Sequence, residues 1–337
     1  MVSSSPILPP EWAPQRFVQL TWPHAGTDWA YMLDDVCACF ADIAREIARH
    51  EDVLVVCASE DEVRRQLAGT DTSRIRFVEL PSNDTWARDH GGITVLRDGR
   101  REVLDFTFNG WGMKFAADKD NLITRRLFER GIFPPDTRRI PRPGFVLEGG
   151  SIESDGAGTL LTTARCLLSD NRNDRTKDEV EAVLRENFGL QQVLWLHHGY
   201  LAGDDTDSHV DTLARFCPAD TIAYVQCTDP QDEHYAELRL MEEELRSLPH
   251  PRRETLPPRA PADGRRGVRG RHAPARHVCQ LPRHQRRGAH AHLRLARDET
   301  ARAQLQTAFP GREVVGIDCR PLIRQHGSLH CVTMQYP

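Results

Sequence analysis

Four short stretches, far apart in the chain, bring together the residue types that covalent chemistry needs: "NDTWARDHGG", "VLEGGS", "DTDSHVDTLARF" and "HGSLHCVTMQYP". The third carries His209 and Asp211 two residues apart. In extended backbone that spacing points both side chains to one face, where an imidazole and a carboxylate address the same small ligand. Such a pairing suits a cationic substrate. In the fourth stretch Cys331 follows a Gly-Ser turn and precedes residues that alternate like a short strand. A lone cysteine is most often inert packing, but a histidine and several carboxylates elsewhere in the chain make this one a candidate nucleophile.

These residues need a scaffold. "DWAYMLDDVCACFADIAREIARHE" places Trp29, Met32, Leu33, Val36, Phe40, Ile43 and Ile47 at helical spacing, with Thr27 available as N-cap. A strand "DVLVVCAS", a helix around "EDEVRRQLAG" and a strand "RIRFVEL" follow, which is the alternation of layered α/β folds. Further helices are expected at "KDNLITRRLFERG", "KDEVEAVLRENFG", "EHYAELRLMEEELRSL" and "DETARAQLQTAF". "GFVLEGGSIESDGAGTLLTTARCLL" reads as hairpin-like. "NFGLQQVLWL" and "AFPGREVVGI" both run from Phe through a Gly-bearing turn into an apolar strand, a hint of an internal repeat too unevenly spaced to count.

With 337 residues, 39% of them hydrophobic, the chain can build a sizeable core. A net charge of -5 excludes a globally basic protein made for nucleic acid or an acidic membrane. No run approaches the roughly 18 apolar residues of a membrane span, and the start resembles no secretory leader, so a cytoplasmic protein is expected. Nine cysteines, scattered singly except for Cys37 and Cys39, point to reduced thiols and away from a disulfide framework.

"WARDHGG", "LEGGS", "LLTTARCLLSDNRN", "HVDTLARF" and "HGSLHCVTMQ", in this order, resemble the agmatine deiminase and bacterial peptidylarginine deiminase family of guanidine-modifying enzymes. The resemblance runs from about residue 10 to 248 and again from about 296 to the end. It implies an α/β fold, a five-bladed pseudo-symmetric propeller of the pentein type, forming a single catalytic domain over 1–337. It also implies cysteine chemistry with no cofactor and no metal. Carried over by position, Cys331, His209 and Glu148 are catalytic, and Asp89 and Asp211 grip the guanidinium. Trp86 and Trp111 are read as substrate-binding residues that stack on the cation, with core filler as the plainer alternative. Arg88 is given no role beyond an ion pair with a neighbouring acid.

The implied reaction turns agmatine into N-carbamoylputrescine and ammonia through a cysteine-linked thiouronium, with His209 as acid and then base. A peptidyl arginine or another guanidine compound is the alternative substrate. The expected partner is a small cationic guanidine compound, with no nucleic acid and no membrane; a homodimer is left open. Two departures stand out. The turn before the cysteine reads His326-Gly327-Ser328 where the family usually has a Gly-Gly-Asn type, and "LTWPHAGTDW" leaves the amine end of the substrate unassigned.

Competing readings exist. Asp204, Asp205, Asp207, His209 and Asp211 are dense enough for a metal loop, but the EF-hand pattern of Gly and bidentate Glu is missing. From 251 to 297 the chain has 13 Arg, no Lys, no aromatic, no Ile and no Met. At face value "RHAPARHVCQLPRHQRRGAHAHLR" is a basic arm for phosphates or a His/Cys metal cluster, which would make a non-enzymatic binding protein. A third explanation fits better. Reverse-translating His277 through Leu293 one base out of frame permits two apolar strands joined by an Asn-Gly turn, a strong hairpin signal. Residues 250–295 are therefore read as a frame-shifted, disordered or misfolded segment that damages one blade and leaves a poorly stable or inactive product.

Overall fold

The computed structural model describes residues 4–218, 220–248 and 301–337 in full, and the backbone of 258–259, 287–292 and 298–300. Its strands fall into five separate sheets. β1 (Phe17–Thr21), β2 (Asp52–Cys57) and β3 (Ile75–Glu79) pair in parallel. β4 (Ile93–Arg97), β5 (Arg100–Thr107) and β6 (Thr137–Val146) form a hairpin followed by a parallel strand. β7 (Ile152–Ser154), β8 (Thr159–Thr163) and β9 (Gln192–Leu196) repeat that order, as do β10 (Ala214–Cys217), β11 (Thr221–Tyr224) and β12 (Pro258–Arg259). β13 (Arg287–His292) and β14 (Glu313–Asp318) pair in parallel. Finally β15 (Met334–Tyr336) returns antiparallel to β1.

A parallel pair needs a crossover, because a tight turn reverses the chain. In all five sheets that crossover contains a helix: Leu33–Ala48, Ile123–Glu129, Lys177–Phe188, Tyr235–Ser247 and Asp298–Ala308. The uneven repeat hinted at in the sequence is thus a strand–helix–strand unit whose loops differ in length. The fold is mixed α/β, as expected, and each sheet among the described residues is open, with no closed sheet.

Local chemistry explains the elements. In Leu33–Ala48 the side chains of Val36, Phe40, Ile43 and Ile47 are buried at helical spacing, and Asp34 and Asp35 sit in the first turn, where the helix dipole favours acids. Thr27 does not cap it. Its hydroxyl donates to the His24 carbonyl at 2.7 Å, and a separate 3-10 turn, Ala30–Met32, intervenes. Lys177–Phe188 starts with a capping box between Thr176 and Glu179. The "SHVDT" stretch is also not extended. Val210–Thr212 is a 3-10 turn, so a shared strand face is not what brings His209 and Asp211 together.

The site residues occupy equivalent places in the topology. Asp89 lies between β3 and β4, Glu148 between β6 and β7, His209 and Asp211 between β9 and β10, and Cys331 between β14 and β15. Each is carried by the segment that leaves one sheet for the next. Residues 250–295, read as frame-shifted, lie outside the described residues except for the backbones of β12 and β13.

Candidate active site

These segments converge. The Cys331 thiol lies 3.9 Å from Asp211 Oδ2, and His209 Nδ1 lies 3.6 Å from Asp89 Oδ1. Asp89 is held from two sides: Trp111 Nε1 donates to Oδ2 at 3.0 Å and the Gly150 amide to Oδ1 at 3.1 Å. Position 150 must be glycine for steric reasons. A Cβ there would stand 2.7 Å from Asp89 Oδ1 and from His209 Nδ1, contacts real Cβ atoms essentially never make, and a tight 3.0 Å from Asp211 Oδ2. The "LEGGS" signature is therefore the backbone floor of the site, and Gly327 likewise lies against the Trp86 ring, where a Cβ would clash at 2.1 Å.

Trp86, Asp89, Trp111, His209 and Cys331 line a cavity of about 340 Å³, with Glu148 and Asp211 behind its wall. Its lining includes five aspartates, Asp28, Asp84, Asp89, Asp204 and Asp205, against one arginine, Arg324. Both tryptophans are buried as well as cavity-lining, so the two readings of them are compatible. Trp111 holds a left-handed backbone conformation, φ 57 and ψ 49, costly for a bulky residue and retained where it aims the indole N–H at Asp89.

The field of the site is negative. Burial, with the charges of Asp211 and Glu148 beside it, pushes Asp89 up to about 6 despite His209 and the Trp111 hydrogen bond. Burial alone would lower His209, but Asp89, Cys166 and Glu148 outweigh it and carry the imidazole up to about 10, so it is protonated at neutral pH. Burial and then Asp211 and Asp89 push the Cys331 thiol well above its ordinary value. These charges favour the thiol, and a cation between the aspartates would favour the thiolate.

Among the described residues, Glu148, Cys166 and His209 offer ligand atoms within 4.8 Å of one another, all buried. Arg172 already supplies the positive charge there: its Nε donates to both Glu148 oxygens, at 2.9 and 3.1 Å. The aspartate-rich loop is internally engaged too. Asp204 accepts from the amides of Thr206 and Ser208, while Asp207 pairs with Lys114 at 2.8 Å and Arg172 at 2.6 Å.

The structure brings together all seven residues singled out in the sequence, and adds others. Arg172 and Cys166 stand in "LLTTARCLLSDNRN", quoted for its resemblance but given no roles; a buried arginine in a polar motif was the available signal. Behind Asp211 lies an ion network of His330, Glu11, Arg88, Arg215 and Glu153. Arg88 is indeed an ion-pair partner, of Glu11 at 2.9 Å. Nothing in the sequence signals Glu11, which stands far from every motif.

The chain matches the Porphyromonas-type peptidyl-arginine deiminase family over residues 7–337. It belongs to that family. The family is one of hydrolases acting on carbon–nitrogen bonds, and this chain is an enzyme of that class. It is 33% identical to the agmatine deiminase of Stutzerimonas stutzeri (strain A1501), over 98% of this chain and 95% of that protein. A Porphyromonas gingivalis crystal structure, described as a candidate arginine deiminase, matches with a TM-score of 0.92 at 50% identity, covering 99% of this chain and 98% of that one. Substrate-bound agmatine deiminase from C. jejuni matches with a TM-score of 0.89 at 31% identity, covering 98% and 96%. No described helix is long and apolar enough to cross a membrane.

Proposed function

We propose that this chain hydrolyses a guanidinium compound, with agmatine giving N-carbamoylputrescine and ammonia. One observation carries the reading: a buried thiol and a buried imidazole face a cavity whose aspartates outnumber its arginines five to one. Asp89 and Asp211 grip the planar cation, since carboxylates accept paired N–H bonds from it. The bound charge favours the Cys331 thiolate, which attacks the guanidinium carbon. His209 gives its proton to the departing nitrogen, ammonia leaves, and a thiouronium remains on Cys331. The neutral imidazole then takes a proton from water; the resulting hydroxide adds to the same carbon, and the sulfur leaves to give the ureido product. Glu148, held by Arg172, keeps His209 charged and oriented. The surplus acids, with agmatine deiminases among the relatives, favour a small dication over a peptidyl arginine. Ammonia release compared for agmatine, arginine and arginyl peptides tests the choice, and preference for the peptide overturns it.

The five sheets are read as five blades of a closed propeller, because each carries the same crossover and four of them hand a site residue to one centre. No disulfide joins the eight described cysteines, which suits the reducing cytoplasm. Residues 250–295 are read as the product of two compensating frame changes, supported by the hairpin permitted one base away. The loss of a native strand pair is large against a typical stability of about 5 to 15 kcal/mol. Sequencing of codons 250 to 295 decides this, and the frame-restored chain should melt higher and turn over faster; equal melts and rates would overturn the reading.

A further inference from the structure

His330 stands between the front of the site and a second buried cluster. Its Nδ1 lies 2.6 Å from Asp211 Oδ2 and its Nε2 lies 2.6 Å from Glu11 Oε1. Asp211 and His330 are both 1% exposed at the side chain, so water does not compete for these bonds. Glu11 is itself fixed by ion pairs with Arg88 and Arg215, and Arg215 Nε also pairs with Glu153 at 2.6 Å. Burial would raise Glu11, but Arg215, Arg88 and His330 hold it well below the usual carboxylate range. Glu11 is therefore ionised and accepts from Nε2–H. The ring thus bridges the two carboxylates, one at each nitrogen.

An aspartate's terminal torsion is broad, so its carboxylate plane is set by its partners more than by rotamer preference. Asp211 rides on a short 3-10 turn, while His330 is the residue before the nucleophile. A bond between them ties the two halves of the reaction centre, which lie 120 residues apart in sequence. We propose that His330 is the positioning residue for Asp211: anchored by Glu11, its ring sets the carboxylate at the orientation that receives the guanidinium beside Cys331. This rests on the reading of Asp211 as a substrate-binding residue.

The test measures agmatine affinity by calorimetry in a Cys331→Ser background, and kcat, KM and melting temperature with Cys331 intact. It is run in the full chain and in its frame-restored version. The amide nitrogen of His330→Asn takes the place of Nδ1, and that of His330→Gln the place of Nε2. A charge-assisted bond of ordinary strength predicts that His330→Gln and His330→Ala weaken agmatine binding roughly 10- to 100-fold while His330→Asn stays within about fivefold of wild type. Equal affinities for the Asn and Gln variants overturn the proposal even if both melt lower, because a merely structural role would not separate them. Asp211→Asn is measured alongside. If it leaves affinity unchanged, the reading of Asp211 fails; if it loses affinity while His330→Ala does not, only the positioning role fails.

Discussion

Two buried charged clusters lie back to back across His330 and are built differently. In the rear one, Glu11 and Glu153 are matched by Arg88 and Arg215 beside a cavity of about 70 Å³. In the front one, buried Asp89 faces a cavity of about 340 Å³ whose rim carries four less buried aspartates, Asp28 and Asp205 among them exposed. Burial drives Asp89 up to about 6 against the opposing pull of His209, whereas Arg215 and Arg88 hold Glu11 down, although burial still lifts Glu153 to about 8. Buried charge matched by the chain's own counter-ion is framework; buried charge left facing a cavity waits for a ligand.

Substitutions should break the two clusters in different ways. The largest effect is expected from Cys331→Ser, which should lower ammonia release by roughly four orders of magnitude or more, because no other group forms the covalent intermediate. Unreduced turnover would sink the mechanism. Arg215→Met should take from Glu153 its guanidinium partner and leave Glu11 to Arg88 and His330, at a cost of roughly 3–5 kcal/mol of stability. Thermal melts check this, and an unchanged melt would mean that the rear cluster is not framework.

Asp89→Asn should do the reverse. It keeps the side chain's shape but turns an N–H toward one of the two donors that Asp89 accepts from, so the protein melts less low than Arg215→Met, while kcat/KM for agmatine falls roughly 100- to 1,000-fold through loss of a charged grip. A smaller effect follows from pH. The folded protein raises Asp89 from 3.8 to about 6, so the ionised form is penalised and its cost to stability grows as pH rises from 3.8 through 6. Agmatine needs that ionised form. Affinity should therefore be full above about 6 and weaken as pH falls through it, approaching tenfold per unit. Asp84 lines the same cavity and is pushed up to about 7 by burial and Asp28, so Asp84→Asn should leave the lower break standing alone in calorimetric titrations.

Much was legible in the sequence because particular residues admit few substitutes. A guanidinium grip would require acids, a covalent attack would require a thiol, and a Cβ at Gly150 would crowd the site, so "WARDHGG", "LEGGS" and "HVDTLARF" carry their meaning in short windows. The helix Leu33–Ala48 was legible from its periodicity alone. Thr27 misled because a hydroxyl near a helix start can equally bond a turn carbonyl, and here it bonds His24. "SHVDT" misled because alternation over five residues does not separate a strand from a 3-10 turn.

The sequence by itself determined the residue types of the site and the crossover helices, since these depend on local chemistry and period. Only the tertiary structure decided which charges are matched. Glu11 and His330 are 319 residues apart, and Arg172 meets Glu148 across 24. A carboxylate reads the same in a sequence whether an arginine or an empty cavity faces it. That difference arises when segments leaving separate sheets meet, and it divides the framework at Glu11 from the candidate grip at Asp89.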